Sequence, residues 1–251
     1  MKTIRIAPVL LALLLAFPAA YAQTGGYPDS DLQAKLAQRL TQDPALQDDR
    51  LDVSVSNGVV TVSGTVDTLY EAWKVRDNVS AIFGVVGFES QVSLEDQSVP
   101  DASLTTAVTD ALGRRLLDNP EVGSITASAQ GGVVTLAGTV RDARKRFDAR
   151  DAVARERGVR RVVDELVSPE AADDEIQKAV AAILAGGTGK PVSGSVTTRV
   201  TEGVVSLTGT VPLLSALYQA EELAWGVNGV RGVENQLTVT PPSREVKTSR
   251  P

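Results

Sequence analysis

The sequence predicts an α+β fold of three tandem two-layer α-β-β-α-β domains, and two observations carry that expectation. One strand-like block recurs three times, as Asn57-Gly-Val-Val-Thr-Val-Ser-Gly-Thr-Val66, Gly131-Gly-Val-Val-Thr-Leu-Ala-Gly-Thr-Val140 and Glu202-Gly-Val-Val-Ser-Leu-Thr-Gly-Thr-Val211. The second glycine of each block (Gly64, Gly138, Gly209) is followed 20 residues later by a Gly-Val pair at Gly84, Gly158 and Gly229. A fixed internal spacing with variable linkers marks a duplicated unit. The units are placed at 28–96, 101–168 and 171–240.

Within the first unit, Ser30 or Asp31 is expected to cap a helix carrying Leu32, Leu36 and Leu40 on one face, which Asp43-Pro44 stops. Leu104, Val108, Ala111 and Leu112, stopped by Asn119-Pro120, and Ile176, Val180, Ile183 and Leu184, stopped by Gly186-Gly187, give the matching helices. Two strands follow: Leu51, Val53 and Val55 alternate with polar residues, Asn57-Gly58 is a type I′ hairpin signal, and Val60, Val62 and Val66 alternate again. Gly64, Gly138 and Gly209 fall on the apolar face, where a missing side chain allows close approach of a helix or backbone. A second helix and a closing strand (Val85 to Leu94, Val159 to Val167, Val230 to Val239) complete each unit. Because that helix joins two strands of one sheet, a mixed three-stranded sheet with both helices on its apolar face is expected.

At the amino end, Lys2 and Arg5, the apolar run Ile6 to Phe17 and Ala20-Tyr21-Ala22 predict a secretory signal peptide over residues 1–22, cut after Ala22. The run is shorter than the roughly 20 residues a membrane span requires. Removing it shifts the formal net charge from −6 to −8. A globally acidic chain does not coat nucleic acid. Residues 241–251 lack periodicity and read as a disordered tail.

The repeated strand, the helix after it and the closing Gly-Val-x-x-Val-x-x-x-Leu/Val resemble the BON domain, named for osmotically induced periplasmic proteins and nodulation proteins of bacteria. The resemblance runs from about Ser30 to Thr240. It implies a periplasmic envelope protein without enzymatic activity, linked to outer-membrane integrity, phospholipid contact, osmotic-stress protection or chaperone-like binding. Envelope members typically carry two copies and some are lipid-anchored; this chain carries three, with no cysteine for an anchor.

The residues themselves offer little catalytic chemistry. With no histidine and no cysteine, Ser-His-Asp and Cys-His schemes and the usual zinc and copper ligands are missing. No Ser-x-x-Lys motif opens a helix, and no cofactor or metal is expected. Gly186-Gly-Thr-Gly-Lys190 departs from a phosphate loop, since Leu184 stands where the first glycine belongs and Pro191 replaces the Ser/Thr. Asp48, Asp49 and Asp52, like Asp173, Asp174 and Glu175, suit solvent and a helix start better than a cation. Trp73 and Trp225, with Phe147 and Tyr218 in corresponding stretches, read as core packing, with an exposed position at a membrane interface as the alternative.

The second helices separate the copies. Ala72, Val75, Val79 and Ile82 form an apolar stripe in the first and Leu217, Ala220, Ala224 and Val227 in the third, whereas the middle copy places Arg146, Ala149, Val153 and Glu156 there. Residues 141–161 carry nine basic side chains against four carboxylates. Arg144, Lys145, Arg146, Arg150, Arg155 and Arg157 are the candidate contacts for anionic phospholipid or another envelope component, with Arg146, Arg150 and Arg157 expected on one helix face. Two other readings stay open: i,i+4 pairing of Arg144 with Asp148 and Arg155 with Asp151, or docking of the patch on an acidic neighbouring repeat. A stress chaperone holding unfolded envelope proteins is the alternative function, for which an exposed apolar patch or open strand edge is expected.

Overall fold

In the computed structural model, residues 27–47, 49–95, 98–117, 123–187 and 190–240 are described. The expected signal peptide and tail lie outside them, as do Asp48, Asn119-Pro120 and residues 188–189. The first copy comprises α1 (Asp29–Gln42), β1 (Arg50–Ser56), β2 (Val59–Val66), α2 (Leu69–Ser80) and β3 (Gly87–Leu94). The second comprises α3 (Asp101–Leu112), a π-helical turn (Gly113–Leu117), β4 (Gly123–Gln130), β5 (Val133–Val140), α4 (Lys145–Ala154) and β6 (Arg161–Val167). The third comprises α5 (Asp173–Leu184), β7 (Ser195–Thr201), β8 (Val204–Val211), α6 (Leu214–Trp225) and β9 (Gly232–Val239). Each copy is the expected α-β-β-α-β unit.

The three sheets are mixed and share one order, β1-β2-β3, β4-β5-β6 and β7-β8-β9, with the hairpin antiparallel and the crossover pair parallel. Register sets which face is dry. Val53 stands opposite Val62 and Val55 opposite Val60, and the helices cover that face: Leu36, Leu40, Val60, Val62, Val75 and Val79 form one buried cluster. Leu104, Val108, Val134 and Leu136 in the second copy, and Ile176, Val180, Val205 and Leu207 in the third, repeat it. The edge-strand residues Leu51, Val53 and Val55 are only half-buried.

All three hairpins place both turn residues at positive φ, at 52° and 75° for Asn57-Gly58, 58° and 79° for Gly131-Gly132, and 52° and 76° for Glu202-Gly203. This is the I′ geometry that matches strand twist. The first helical residue of each copy reaches across to the turn. Asp29 accepts from the Asn57 and Gly58 amides at 2.8 and 3.0 Å, Asp173 from those of Glu202 and Gly203 at 2.8 Å each, and Asp101 from Gly131 at 2.8 Å. The caps expected at Ser30 or Asp31 are therefore corrected. The N-cap positions are Pro28, Pro100 and Ala172, without side-chain caps, because the nearby aspartates serve the hairpin.

The two glycine sets have different tasks. A Cβ at Gly64, Gly138 or Gly209 would lie 2.2, 2.0 or 2.0 Å from the carbonyl oxygen of Arg50, Ser124 or Ser195, so the close approach is by the paired strand's backbone. At Gly84, Gly158 and Gly229 it would strike Tyr27, Val99 and Ala171, the residues that lead into the first helix of the same copy.

One polar network is confined to the first copy. Buried Asn78 accepts from Arg39 Nε at 2.9 Å and donates to Asp43 Oδ2 at 2.6 Å, while Lys74 lies 3.3 Å from the same carboxylate. Burial raises the Asp43 pKa, but bonds from Asn78, the Ala45 amide and Lys74 outweigh it and leave it below the ordinary value. A depressed carboxyl contributes stability above the ordinary pKa it has in the unfolded chain and loses it as pH falls through the lower folded value. Acid unfolding followed by circular dichroism is expected to show that loss, and Asp43→Asn to flatten it. Glu202 offers a separate check, since a non-glycine residue in the left-handed region is strained and asparagine tolerates it better. Glu202→Asn is expected to stabilise the protein by about 0.5–1 kcal/mol in thermal unfolding.

Candidate functional site: a hub of stacked arginines

The second helices α2, α4 and α6 carry the features that distinguish the copies, and in the structure they meet one another. Arg150 on α4 stacks over Trp73 on α2, its guanidinium carbon 5.3 Å from the ring centroid, and Arg155 lies 3.4 Å over Tyr70. Arg76 on α2 stacks over Tyr218 on α6 at 5.2 Å, and Arg146 on α4 over Trp225 on α6 at 5.2 Å. Every pair of second helices is thereby joined.

Counting from the second glycine of each block shows that the contacts run in one rotational sense. The residue 12 positions on stacks over the residue 9 positions on in the preceding copy: Arg150 over Trp73, Arg76 over Tyr218. The residue 19 positions on meets the residue 3 positions on: Arg157 ion-pairs with Asp67, and Asn228 donates to the Arg141 carbonyl. The residue 5 positions on packs forward: Leu69 against the core of the second copy, Leu214 inside that of the first, while the Ala143 amide donates to Asn228 Oδ1 at 2.8 Å. This head-to-tail pattern closes on itself, as in a cyclic trimer whose subunits are linked in one chain.

Most of the predicted basic set is consumed here. Arg146 is 5 % exposed, so it is corrected from a surface contact to an interior one. Its Nη2 donates to the Leu166 carbonyl at 2.9 Å, Asp164 lies 3.7 Å from its Nε, and Nε itself has no hydrogen-bond partner. Burial holds its pKa below the usual arginine range against the opposing pull of Asp164. Arg146 does not share a helical face with Arg157, because α4 ends at Ala154. Arg144 pairs with Asp142 at 2.7 Å in place of the expected Asp148, which instead takes Lys145 at 2.9 Å. The expected Arg155–Asp151 pair is present at 3.9 Å. Burial pushes the Asp151 carboxyl up, and the Tyr218 hydroxyl likewise. Trp225 packs against the core of its own copy, as expected, while Tyr218 packs against the core of the first copy and Trp73 and Phe147 line the cleft between second helices. All four are half-buried.

Five exposed arginines gather where α4 runs out and β6 begins: Arg114, Arg155, Arg157, Arg160 and Arg161. Arg114 reaches Glu156 at 3.2 Å, and the Arg160 and Arg161 amides both donate to the Gly132 carbonyl, which fixes them beside the hairpin. Sequence spacing did not single out Arg114, because only the π-helical turn after α3 brings it to this end. Among the described residues no group of three or more acidic side chains is arranged to hold a metal ion, and no helix is long and apolar enough to cross a membrane.

The BON domain profile matches the chain three times, at residues 28–95, 100–168 and 172–241. The chain belongs to the BON domain family. BON domains are non-catalytic binding modules linked to phospholipid binding and envelope stress, and proteins that carry them are typically periplasmic or envelope-associated. Two structures of CdsD, a structural protein of the Type III secretion system of Chlamydia trachomatis, are similar to the chain. One, of the C-terminal domain, is 17 % identical over 86 % of this chain and all of that one; the other is 18 % identical over 84 % and 93 %. Both have a TM-score of 0.24, too low to bear on function. No curated protein matches.

Cohesion between BON copies combines these stacks with the apolar contacts of Leu69 and Leu214. Removing one guanidinium from a partly desolvated ring is worth about 1–2 kcal/mol, so Arg150→Ala is expected to lower the unfolding midpoint and to shift Trp73 emission to the red. Arg141→Ala, at an exposed side chain outside the stacks, should do neither.

Proposed function

We propose that the protein is a non-enzymatic binding protein of the periplasm that associates peripherally and reversibly with anionic phospholipid at the cell envelope. The observation that carries this reading is the arginine-rich end of the middle copy, where exposed Arg160 and Arg161 stand beside Arg114, Arg155 and Arg157, the last three each paired with a carboxylate, on an otherwise acidic chain. Arg146 and Arg150 act indirectly. They lock the middle copy between its neighbours and so fix the direction in which that end points. Arg144 and Lys145 sit at the opposite end of α4, each held by an aspartate.

Each lysine or arginine near an anionic surface contributes about 1 kcal/mol, and salt screens it. The exported, cleaved form implied by the signal segment suits this role. The chaperone alternative has the edge strands of three separate sheets in its favour, but Phe83 and Val167 are the exposed large hydrophobic residues among those described, too few for a client-binding patch. Sedimentation with vesicles containing phosphatidylglycerol is the test. Binding should weaken steeply as salt rises, and Arg160→Glu with Arg161→Glu should weaken it roughly 30-fold at low salt. Salt-insensitive binding, or none by the parent protein, rejects the lipid reading; suppression of client aggregation without vesicle binding favours the chaperone.

A further inference from the structure

The rotational pattern of the hub is broken at one junction. Where the first and second copies place Arg76 and Arg150, the third places Glu221, and the ring it should meet is Phe147. The arrangement there is otherwise kept, with Asn228 bonded to Arg141 and Ala143, and Gly226 against the Arg144 side chain. Trp73, Tyr218 and Trp225 each lie under a guanidinium. Tyr70 lies under Arg155, so among the described residues Phe147 alone of the five hub aromatics has none.

Phe147 and Glu221 both line a cleft of about 250 Å³ enclosed by the three second helices, with Glu222 exposed at its rim and Asp151 beside it. Of the three carboxylates in that lining, Asp151 is paired with Arg155, which leaves Glu221 and Glu222, while Arg76 and Arg150 are each stacked on a ring. The cleft thus offers an aromatic face flanked by two carboxylates, the complement of a planar cation. Glu221 is oriented by a 3.2 Å bond from Asn235 Nδ2. A guanidinium over an aromatic ring is also the occupant that the equivalent position takes at the other two junctions.

We propose that this central cleft binds the arginine side chain of a protein partner, stacked on Phe147 and held by Glu221 and Glu222. The site lies at the meeting of all three copies and touches the arginine-rich end assigned to lipid only through the Asp151–Arg155 pair, and since Phe147, Glu221 and Glu222 are not part of that end, it goes beyond the lipid reading and survives its failure. It gives the protein a specific protein contact in addition to a membrane surface. It also explains why the third copy carries an acid where its siblings carry a base: arginine there would fill the ring internally and close the site.

The two tryptophans of the chain both line the cleft, so intrinsic fluorescence reports on it without a label. Titrating the full chain with a capped tripeptide centred on arginine should give a saturable change with a midpoint in the millimolar range, and the lysine counterpart should be at least fivefold weaker. Phe147→Leu, which keeps apolar volume, and Glu222→Gln, at an exposed position, should each weaken the response fivefold or more. Glu221→Arg should abolish it and raise the unfolding midpoint by completing the third stack. Were Phe147→Leu to unfold, Glu222→Gln and Glu221→Arg decide alone. The proposal is overturned by the absence of a saturable change, by equal response to lysine or to a trimethylammonium compound, or by variants that bind like the parent.

Discussion

The arrangement of the three copies turns on the contacts between their second helices, where arginines stack against aromatic rings. A BON copy of about 70 residues encloses one small core, and a core of that size is marginal by itself. The three copies answer this by sharing surface. Leu214 of the third copy is 6 % exposed and belongs to the core cluster of the first, and Leu69 of the first packs on the second. Guanidinium groups suit such a junction better than further leucines would, because they cover a ring face while keeping hydrogen bonds or water at the rim. The result is cohesion without a large exposed apolar surface on any copy before it docks.

That arrangement redefines the basic stretch of the middle copy. By composition it is a cationic patch; in three dimensions it divides in two. Arg146 and Arg150 face inward to Trp225 and Trp73, and Arg157 and Arg155 clasp Asp67 and Tyr70 of the first copy from the rim. The exposed remainder is concentrated at one end by the termination of α4 at Ala154. Structural and binding duties fall on neighbouring arginines of one short segment, with the middle copy acting as the keystone between two more acidic neighbours.

The hub also gives duplication a consequence. Three identical copies would give three identical junctions, with the same stack at each. Divergence at single positions, Glu221 for arginine and Phe147 for tryptophan or tyrosine, makes one junction unlike the other two while the backbone arrangement persists. A site thus arises at the axis of a pseudo-symmetric assembly from substitutions that leave each fold intact.

The sequence by itself determined the unit and its count. Val60, Val62 and Val66 alternate because a strand has a period of two, Asn57-Gly58 turns because it tolerates positive φ, and three matched blocks admit no other partition; such signals are local and need no knowledge of distant residues. Gly64, Gly138 and Gly209 were likewise legible as packing positions. Only the tertiary structure decided what the arginines do. Arg146 occupies a core-facing position of its helix, yet its burial depends on Trp225, 79 residues away, and Asp29 serves a hairpin 28 residues on instead of its own helix. A charged side chain reads as a solvated face until the element that covers it is known, because the desolvation and pairing that set its role come from other parts of the chain.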